Sequence, residues 1–196
     1  MRFAYADPPY PGQAHKYRGH PDYAGEVDHG ELIGRLCQDY PDGWVLSTHG
    51  KGLQSCLGLC PSDVQVAIWH NTNSQPPGAR PDRWWRVWEA VIVRGGRPGG
   101  HIVKNLLVCS AINGGNLSPE ARGPQIVGRK PAAFTRWITS LLGATPDDTI
   151  DDLFPGSGAV GRELTVYAAQ PQLVEFPAQE PAGRGSGGLG ARDDRA

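Results

Sequence analysis

An acid, two prolines and an aromatic ring, Asp7-Pro8-Pro9-Tyr10, close a short apolar run that begins almost at the first residue. Phe3, Ala4, Tyr5 and Ala6 read as a buried strand, and the prolines stop it because neither has an N–H to give to a ladder. The tetrapeptide therefore stands at the carboxyl end of a strand, where ligands bind in open α/β sheets. A carboxylate and a proline-flanked carbonyl accept hydrogen bonds from an amino group, and a tyrosine ring stacks on a flat base. The same residues also suit a plain strand-to-turn junction, so the motif needs a partner before it implies chemistry.

A second constellation supplies one. Asp147 to Phe154 reads as a strand, and Pro155-Gly156-Ser157-Gly158-Ala159-Val160-Gly161 as a glycine-rich turn that opens a helix. Glycines let backbone approach a ligand, and a helix amino terminus presents unpaired amides. Leu173-Val174 reads as the next strand, ended by Glu175 about 19 residues beyond Gly156. In dinucleotide-binding folds an acid at about that offset holds a ribose hydroxyl pair. No Gly-Lys-Ser/Thr follows the turn, so a phosphate-cradling loop is not implied. The chain begins too close to Asp7 to hold a βα unit upstream. The glycine-turn unit is therefore expected last in sequence, joining the sheet beside the first strand.

Several elements must hold these groups in place. A polar loop, roughly Pro11 to Gly25, follows the first strand and suits a flap over a ligand or an ordinary surface connection. Asp28 to Tyr40 is helical, with Leu32, Ile33 and Leu36 on one face and Asp28 as cap. Trp44 to Thr48, Val64 to Trp69 and Val87 to Val93 read as strands, and Lys51 to Leu59 as a short helix ended by Pro61. Arg94 to Gly128 is rich in Gly, Pro and Asn, with one apolar segment at Ile102 to Val108, and reads as an insertion or a loop. A helix follows Pro131, which suits its first turn, with Phe134, Trp137, Ile138, Leu141 and Leu142 as a core stripe. Strand and helix in alternation argue for an α/β fold with a mostly parallel sheet and helices on both faces.

Composition narrows the class. The 196 residues suffice for one domain with a sizeable core, residues 1–176, followed by a tail, residues 177–196, that reads as disordered. No apolar run reaches the roughly 20 residues that span a bilayer, and no signal peptide is evident, so a cytoplasmic location is expected. Cys56 and Cys60 lie one helical turn apart, but no second ligand pair with zinc-like spacing accompanies them; Cys37, Cys56, Cys60 and Cys109 read as buried free thiols, with no metal. A net charge of −1 gives no global basic field. Arg80, Arg83, Arg86, Arg94 and Arg97, interleaved with Trp84, Trp85 and Trp88, form a local nucleic-acid-binding candidate; a solvated strand face is the alternative.

Together the motifs resemble the S-adenosylmethionine-dependent amino-methyltransferases of DNA, the adenine-N6 and cytosine-N4 enzymes. Asp7-Pro8-Pro9-Tyr10 matches their Asp/Asn/Ser-Pro-Pro-Tyr/Phe/Trp catalytic motif, and Asp152-Leu153-Phe154-Pro155-Gly156-Ser157-Gly158 is similar to their Asp-Pro-Phe-x-Gly-Ser-Gly cofactor motif. Lys130-Pro131 resembles the Lys-Pro segment that precedes the cofactor strand. Catalytic motif first and cofactor motif last is the permuted order of the beta class.

The resemblance implies a seven-stranded Rossmann-like sheet, S-adenosylmethionine as cofactor and DNA as partner. It implies a catalytic motif of Asp7, Pro8, Pro9 and Tyr10, in which Asp7 and the Pro8 carbonyl accept the target amino hydrogens and Tyr10 stacks on a base flipped from the duplex. Asp152, Phe154, Gly156, Ser157, Gly158 and Glu175 would bind the cofactor, with Lys130 beside them. Methylation at ring carbon 5 needs a cysteine in a Pro-Cys context, and this chain has only Cys60-Pro61, the reverse order. An aspartate before Pro-Pro-Tyr leans toward adenine-N6; cytosine-N4, RNA, and a catalytically reduced nucleic-acid-binding relative are the alternatives. The chain departs from the family in its short recognition region, confined to 94–128, and in lacking a strand after Glu175. The adenine side of the cofactor pocket is therefore open or completed by a second copy of the chain. So small an enzyme fits a phage or mobile restriction-modification element.

Overall fold

The computed structural model describes residues 1–19, 25–74, 85–99, 101–111, 130–156 and 158–169. Six strands in those residues form one sheet: β1 (Arg2–Ala6), β2 (Gly43–His49), β3 (Gln65–Asn71), β4 (Trp88–Gly95), β5 (Leu106–Cys109) and β6 (Thr149–Asp152). Their spatial order is β5-β3-β4-β2-β1-β6. Four helices accompany them: α1 (His29–Asp39), α2 (Gly50–Leu57), α3 (Ala132–Leu141) and α4 (Ala159–Ala169). The expected mixed α/β architecture is observed, as a mostly parallel sheet with helices on its faces.

Period-two alternation sorts the side chains between two cores. Phe3 and Tyr5 of β1, Val45 of β2, Trp69 of β3 and Val91 of β4 pack with Phe134, Trp137, Ile138 and Leu142 around α3 and Val160 of α4. Ala4, Ala6, Trp44, Leu46 and Ile92 face the other way, against Leu32, Ile33 and Leu36 of α1 and Cys56 of α2. The stripe expected after Pro131 is thus core, and each fully buried large side chain contributes about 1.5–3 kcal/mol. Asp28 caps α1 as expected, its carboxylate accepting from Gly30 N at 2.8 Å and Glu31 N at 3.0 Å. Pro131 stands one position earlier than expected, as the residue that caps α3 rather than within its first turn.

The placement that matters most is that of β6. It pairs in parallel with β1, with Tyr5 opposite Asp152, and β1 pairs in parallel with β2 on its other side. The unit that comes last in sequence therefore joins the sheet beside the first strand, as its motif order requires. The chain leaves β1 toward α1 on one face and enters β6 from α3 on the other, so the crevice beyond β1 and β6 is a topological switch point.

Two features were not evident from sequence. β4 runs antiparallel to both β2 and β3, against every other described strand. The apolar segment expected at Ile102 to Val108 yields a strand only at Leu106–Cys109, paired in parallel with β3, and Ile102 is exposed. The strand expected at Leu173-Val174, the tail and about half of the expected insertion lie outside the described residues. Among the described residues no helix is long and apolar enough to cross a membrane. All four cysteines are free thiols; Cys56 is buried and the other three are partly exposed.

Where β6 begins, one carboxylate ties the fold together. Asp148, its side chain 2% exposed, accepts Arg97 Nη2 at 2.7 Å and 2.8 Å on its two oxygens. It also accepts Thr145 N at 2.7 Å, Thr145 Oγ1 at 3.0 Å and the chain's terminal amine at 2.6 Å. Burial alone would raise this carboxyl, but the amine, Arg97 and Thr145 outweigh it and hold Asp148 well below the usual carboxylate range.

Candidate active site

The carboxyl ends of β1, β2, β3, β5 and β6 and the amino end of β4 meet on one edge of the sheet. Asp7 follows Phe3 and Tyr5 at period two, so it leaves β1 toward the α3 face. In β2, His49 follows Val45 and Ser47 in the same way, and β4 places Glu89 directly opposite His49. Trp69 of β3 lies opposite Glu89 on its other side. A transverse row of His49, Glu89 and Trp69 thus lies beside Asp7. Lys130, just ahead of α3, reaches into that row.

The lysine is the hub. Its side chain is only 3% exposed, and its Nζ lies 2.6 Å from Glu89 Oε2, 3.3 Å from Asp7 Oδ2 and 3.2 Å from Tyr10 Oη. It also stands 5.4 Å from the centre of the Trp69 ring and 5.5 Å from that of Phe134, within cation–π range. Burial would lower its pKa, but Asp7 and Glu89 together outweigh that and keep the ammonium charged. Glu89 is held below the ordinary glutamate value: burial raises it, and Lys130 and the Tyr10 hydroxyl overcome that. Asp7 goes the other way. Burial pushes its carboxyl up, and Lys130 only partly offsets this. Asp7 is therefore the less well satisfied of the two carboxylates.

Tyr10 is fixed at both ends of its ring. Its hydroxyl donates to Glu89 Oε2 at 2.7 Å and accepts from Lys130. His49 stacks on one face, with ring centres 5.1 Å apart and planes 18° apart, while its Nδ1 accepts from Gly52 N at 3.1 Å and caps α2. Pro8 is buried and Pro9 half-buried beneath this arrangement.

Beside Asp7, the end of β6 forms the expected turn. Leu153 N donates to Tyr5 O at 2.9 Å, Gly158 N to Pro155 O at 2.6 Å, and Arg162 N to Gly158 O at 3.1 Å as α4 begins. Gly156 and Gly158 have φ of 48° and 67°, a region that costs a residue with a side chain about 1 kcal/mol or more. Among the described residues a methyl group built on Gly156 would meet only Phe154 O, at 3.7 Å, so no described group closes the backbone there to an approaching molecule. Asp152 Oδ1 accepts from Phe154 N at 3.4 Å, whereas Asp152 Oδ2 is buried with no hydrogen-bond partner among the described residues. Burial raises this carboxyl too, only partly offset by the Phe154 and Gly161 amides. A buried acceptor left over beside an open glycine turn is a place for a ligand's N–H or O–H donor.

The structure brings Asp7, Pro8, Pro9, Tyr10, Lys130, Asp152, Phe154, Gly156 and Gly158 to one edge. Ser157, Glu175, Arg80 and Arg83 lie outside the described residues. Arg86 and Trp85, both exposed, lead into β4 at this edge, and the Trp88 ring lies against Gly50 at the start of α2. Arg94 and Arg97 are not brought here. Arg94 Nε binds Asp63 at 2.9 Å and Arg97 binds Asp148, both at the opposite end of β4. Sequence reading passed over His49 and Glu89. The signal available was two polar residues at the ends of apolar strands, each in phase with the buried face.

No family model and no curated protein matches the chain by sequence. Solved structures share its fold, two of M1.HpyAVI among them. One, a complex of M1.HpyAVI with SAM, is 17% identical, superposes with a TM-score of 0.55, and matches 86% of this chain and 78% of its own. Another structure of M1.HpyAVI, also 17% identical, has a TM-score of 0.52 and matches 85% and 76% of the two chains.

Proposed function

We propose that this protein is an S-adenosylmethionine-dependent methyltransferase acting on an exocyclic amino group of a nucleobase in DNA, adenine-N6 in first place. The observation that carries the reading is the adjacency of the two motifs: Asp7-Pro8-Pro9-Tyr10 and the glycine turn after Asp152 leave neighbouring parallel strands at the same edge. The likeness of fold to a protein crystallised with SAM supports it. A single-sequence motif could arise by chance in either place; their meeting at the switch point is what the reaction needs.

The residues present suit the cofactor. Asp152 Oδ2, without a hydrogen-bond partner among the described residues, offers an acceptor for the ammonium of its amino-acid portion, and Gly156 lets backbone approach it. Phe154, Ser157 and Glu175 complete the proposed contacts, with Glu175 on the ribose. Bound there, the cofactor supplies an electrophilic sulfonium methyl group. The chain's own task is then to place and activate the acceptor nitrogen. Asp7 and the Pro8 carbonyl accept its two hydrogens, which draws the lone pair out of conjugation with the ring and fixes its direction. Tyr10, pinned by Glu89 and His49, stacks on the base, whose removal from the duplex costs a few kcal/mol that the pocket returns. No group in the cluster is arranged as a covalent nucleophile, so positioning and electrostatics account for the rate. Trp85, Trp88 and Arg86 form the proposed rim that meets the nucleic acid.

Incubation with labelled S-adenosylmethionine and unmethylated DNA, followed by nucleoside mass analysis, tests this. Labelled N6-methyladenine is expected. Label in N4-methylcytosine, or only with RNA, would keep the site and change the substrate. No transfer to any of these polymers would overturn the enzymatic reading in favour of a nucleic-acid-binding relative.

A further inference from the structure

We propose that Glu89 is a positioning residue for the reaction: by engaging Lys130 and Tyr10 it keeps the Asp7 carboxylate available to the target amino group. This inference rests on the methyl-transfer reading of the site. It also moves Lys130 from the cofactor contacts to the acceptor side of the crevice.

An ammonium has three N–H donors. Those of Lys130 face three oxygens, from Glu89, Asp7 and Tyr10, contributed by β4, by the segment after β1 and by the same segment three residues on. It hydrogen-bonds Glu89 and Tyr10 and pairs with Asp7, so these partners lie on the acceptor side of the crevice. The two ion pairs are unequal: 2.6 Å to Glu89 and 3.3 Å to Asp7. A buried lysine with Asp7 as its sole carboxylate would close on it, because an unpaired charge in that setting is costly. The carboxylate would then be occupied by the protein rather than offered to the substrate. Glu89 prevents this by taking the shorter bond. The same oxygen, Oε2, receives the Tyr10 hydroxyl, so one side chain sets both the acceptor and the stacking ring.

The titratable groups facing Asp7 are Lys130 ahead of α3, Glu89 of β4, Tyr10, Tyr5 of β1 and Asp152 of β6, with His49 of β2 behind Glu89. Glu89 pushes Asp7 up and Lys130 pulls it down. Removing the Glu89 charge acts through both in one direction: a like charge disappears and Lys130 moves toward Asp7.

The test compares wild type, Glu89→Gln and Glu89→Asp on two readouts. The first is the acid titration of the Asp7 carboxyl carbon by 13C NMR in the full chain, its resonance identified by Asp7→Asn. The second is steady-state methyl transfer. In Glu89→Gln the Asp7 inflection is expected to move down by about 1 unit. At the same time kcat should fall about 10-fold or more, with KM for the methyl donor within about 2-fold of wild type. Glu89→Asp keeps the charge but withdraws it by one methylene, and should lie between the two on both readouts. An Asp7 inflection that stays or rises in a folded, active Glu89→Gln enzyme would overturn the proposal alone, as would Glu89→Asp falling outside that order. A wild type that transfers no methyl group while the inflection still moves down would overturn the methyl-transfer reading and leave the charge arrangement standing.

Discussion

Both ends of this sheet hold carboxylates out of water, and they treat Asp148 at one end and Asp7 and Asp152 at the other in opposite ways. At the amino end, Asp148 receives donors from Arg97, Thr145 and the terminal amine on both oxygens, and its pKa is driven down against the pull of burial. At the carboxyl end, Asp7 keeps only a 3.3 Å contact with a lysine that favours Glu89, and Asp152 keeps one oxygen without a partner among the described residues; burial drives both up. A group that serves only the fold is satisfied by the fold. A group that serves a ligand is left short of donors, and the protein carries that cost until the ligand arrives. The pH response follows with opposite sign. Asp148, lowered in the folded state, contributes stability that is present above the ordinary aspartate pKa and lost as pH falls through its depressed value. Asp7 and Asp152, raised in the folded state, favour the fold most below the ordinary value, and that contribution is lost as pH rises through their elevated ones.

Lys130→Met should break the comparison hardest. It leaves Glu89 and Asp7 facing each other without a cation, so unfolding by urea should show a loss of about 3–5 kcal/mol. Adding Glu89→Gln should recover part of that, because the buried charge left without its partner is then removed. A single variant as stable as wild type would mean that solvent already satisfies the cluster. Asp7→Asn comes next and separates function from stability. Transfer should drop by about 100-fold or more while cofactor affinity, read by calorimetry, stays close to wild type. Its melting temperature at neutral pH should be equal to or above wild type, since the carboxylate it replaces is one the fold holds at a cost. A lowered melting temperature would place Asp7 with Asp148 as a structural group.

Much of this site could be read from the chain because its signals are local. Two prolines end β1 at Asp7, glycines break β6 after Asp152, and the order of the two motifs requires β6 to lie against β1. The α1 cap and the α3 stripe are equally local. What could not be read depends on strand pairing. A period-two run does not say which strand lies beside it or in which direction, so nothing in Trp88-Glu89 announces that Glu89 will face His49. The same ignorance made five arginines look like one patch. A strand rises about 3.3 Å per residue, so β4 carries the chain roughly 25 Å, from Arg86 at the site edge to Arg94 and Arg97 at the other end. Closeness in sequence along a strand is distance in space.

Asp148→Asn tests the saturated end. With the charge gone, Arg97 and the terminal amine lose their shared anion, Asp148, whose side chain is 2% exposed, and one of its oxygens becomes an N–H₂ facing donors; a loss of about 1–3 kcal/mol is expected at neutral pH. The difference between wild type and variant should shrink as pH is lowered below the ordinary aspartate value of about 3.9, because the unfolded wild-type chain then binds a proton that the folded Asp148, held lower, does not. A difference that grows on acidification would contradict the assigned direction and point to repulsion elsewhere.

The smallest effect expected is that of Arg94→Ala. Its ion pair with Asp63 is exposed, with side chains 28% and 59% accessible, so the melting temperature should stay within about 2 °C of wild type. Its value lies in DNA binding. If the nucleic-acid surface is confined to the site edge, Arg94→Ala leaves affinity and its salt dependence unchanged, whereas Arg86→Ala weakens binding across sequences and lowers the salt slope by about 1. Titrations of both variants against the same duplex at several salt concentrations decide it. Equal weakening by the two substitutions would mean that the polymer wraps from one end of the sheet to the other, and the amino end would then serve binding as well as the fold.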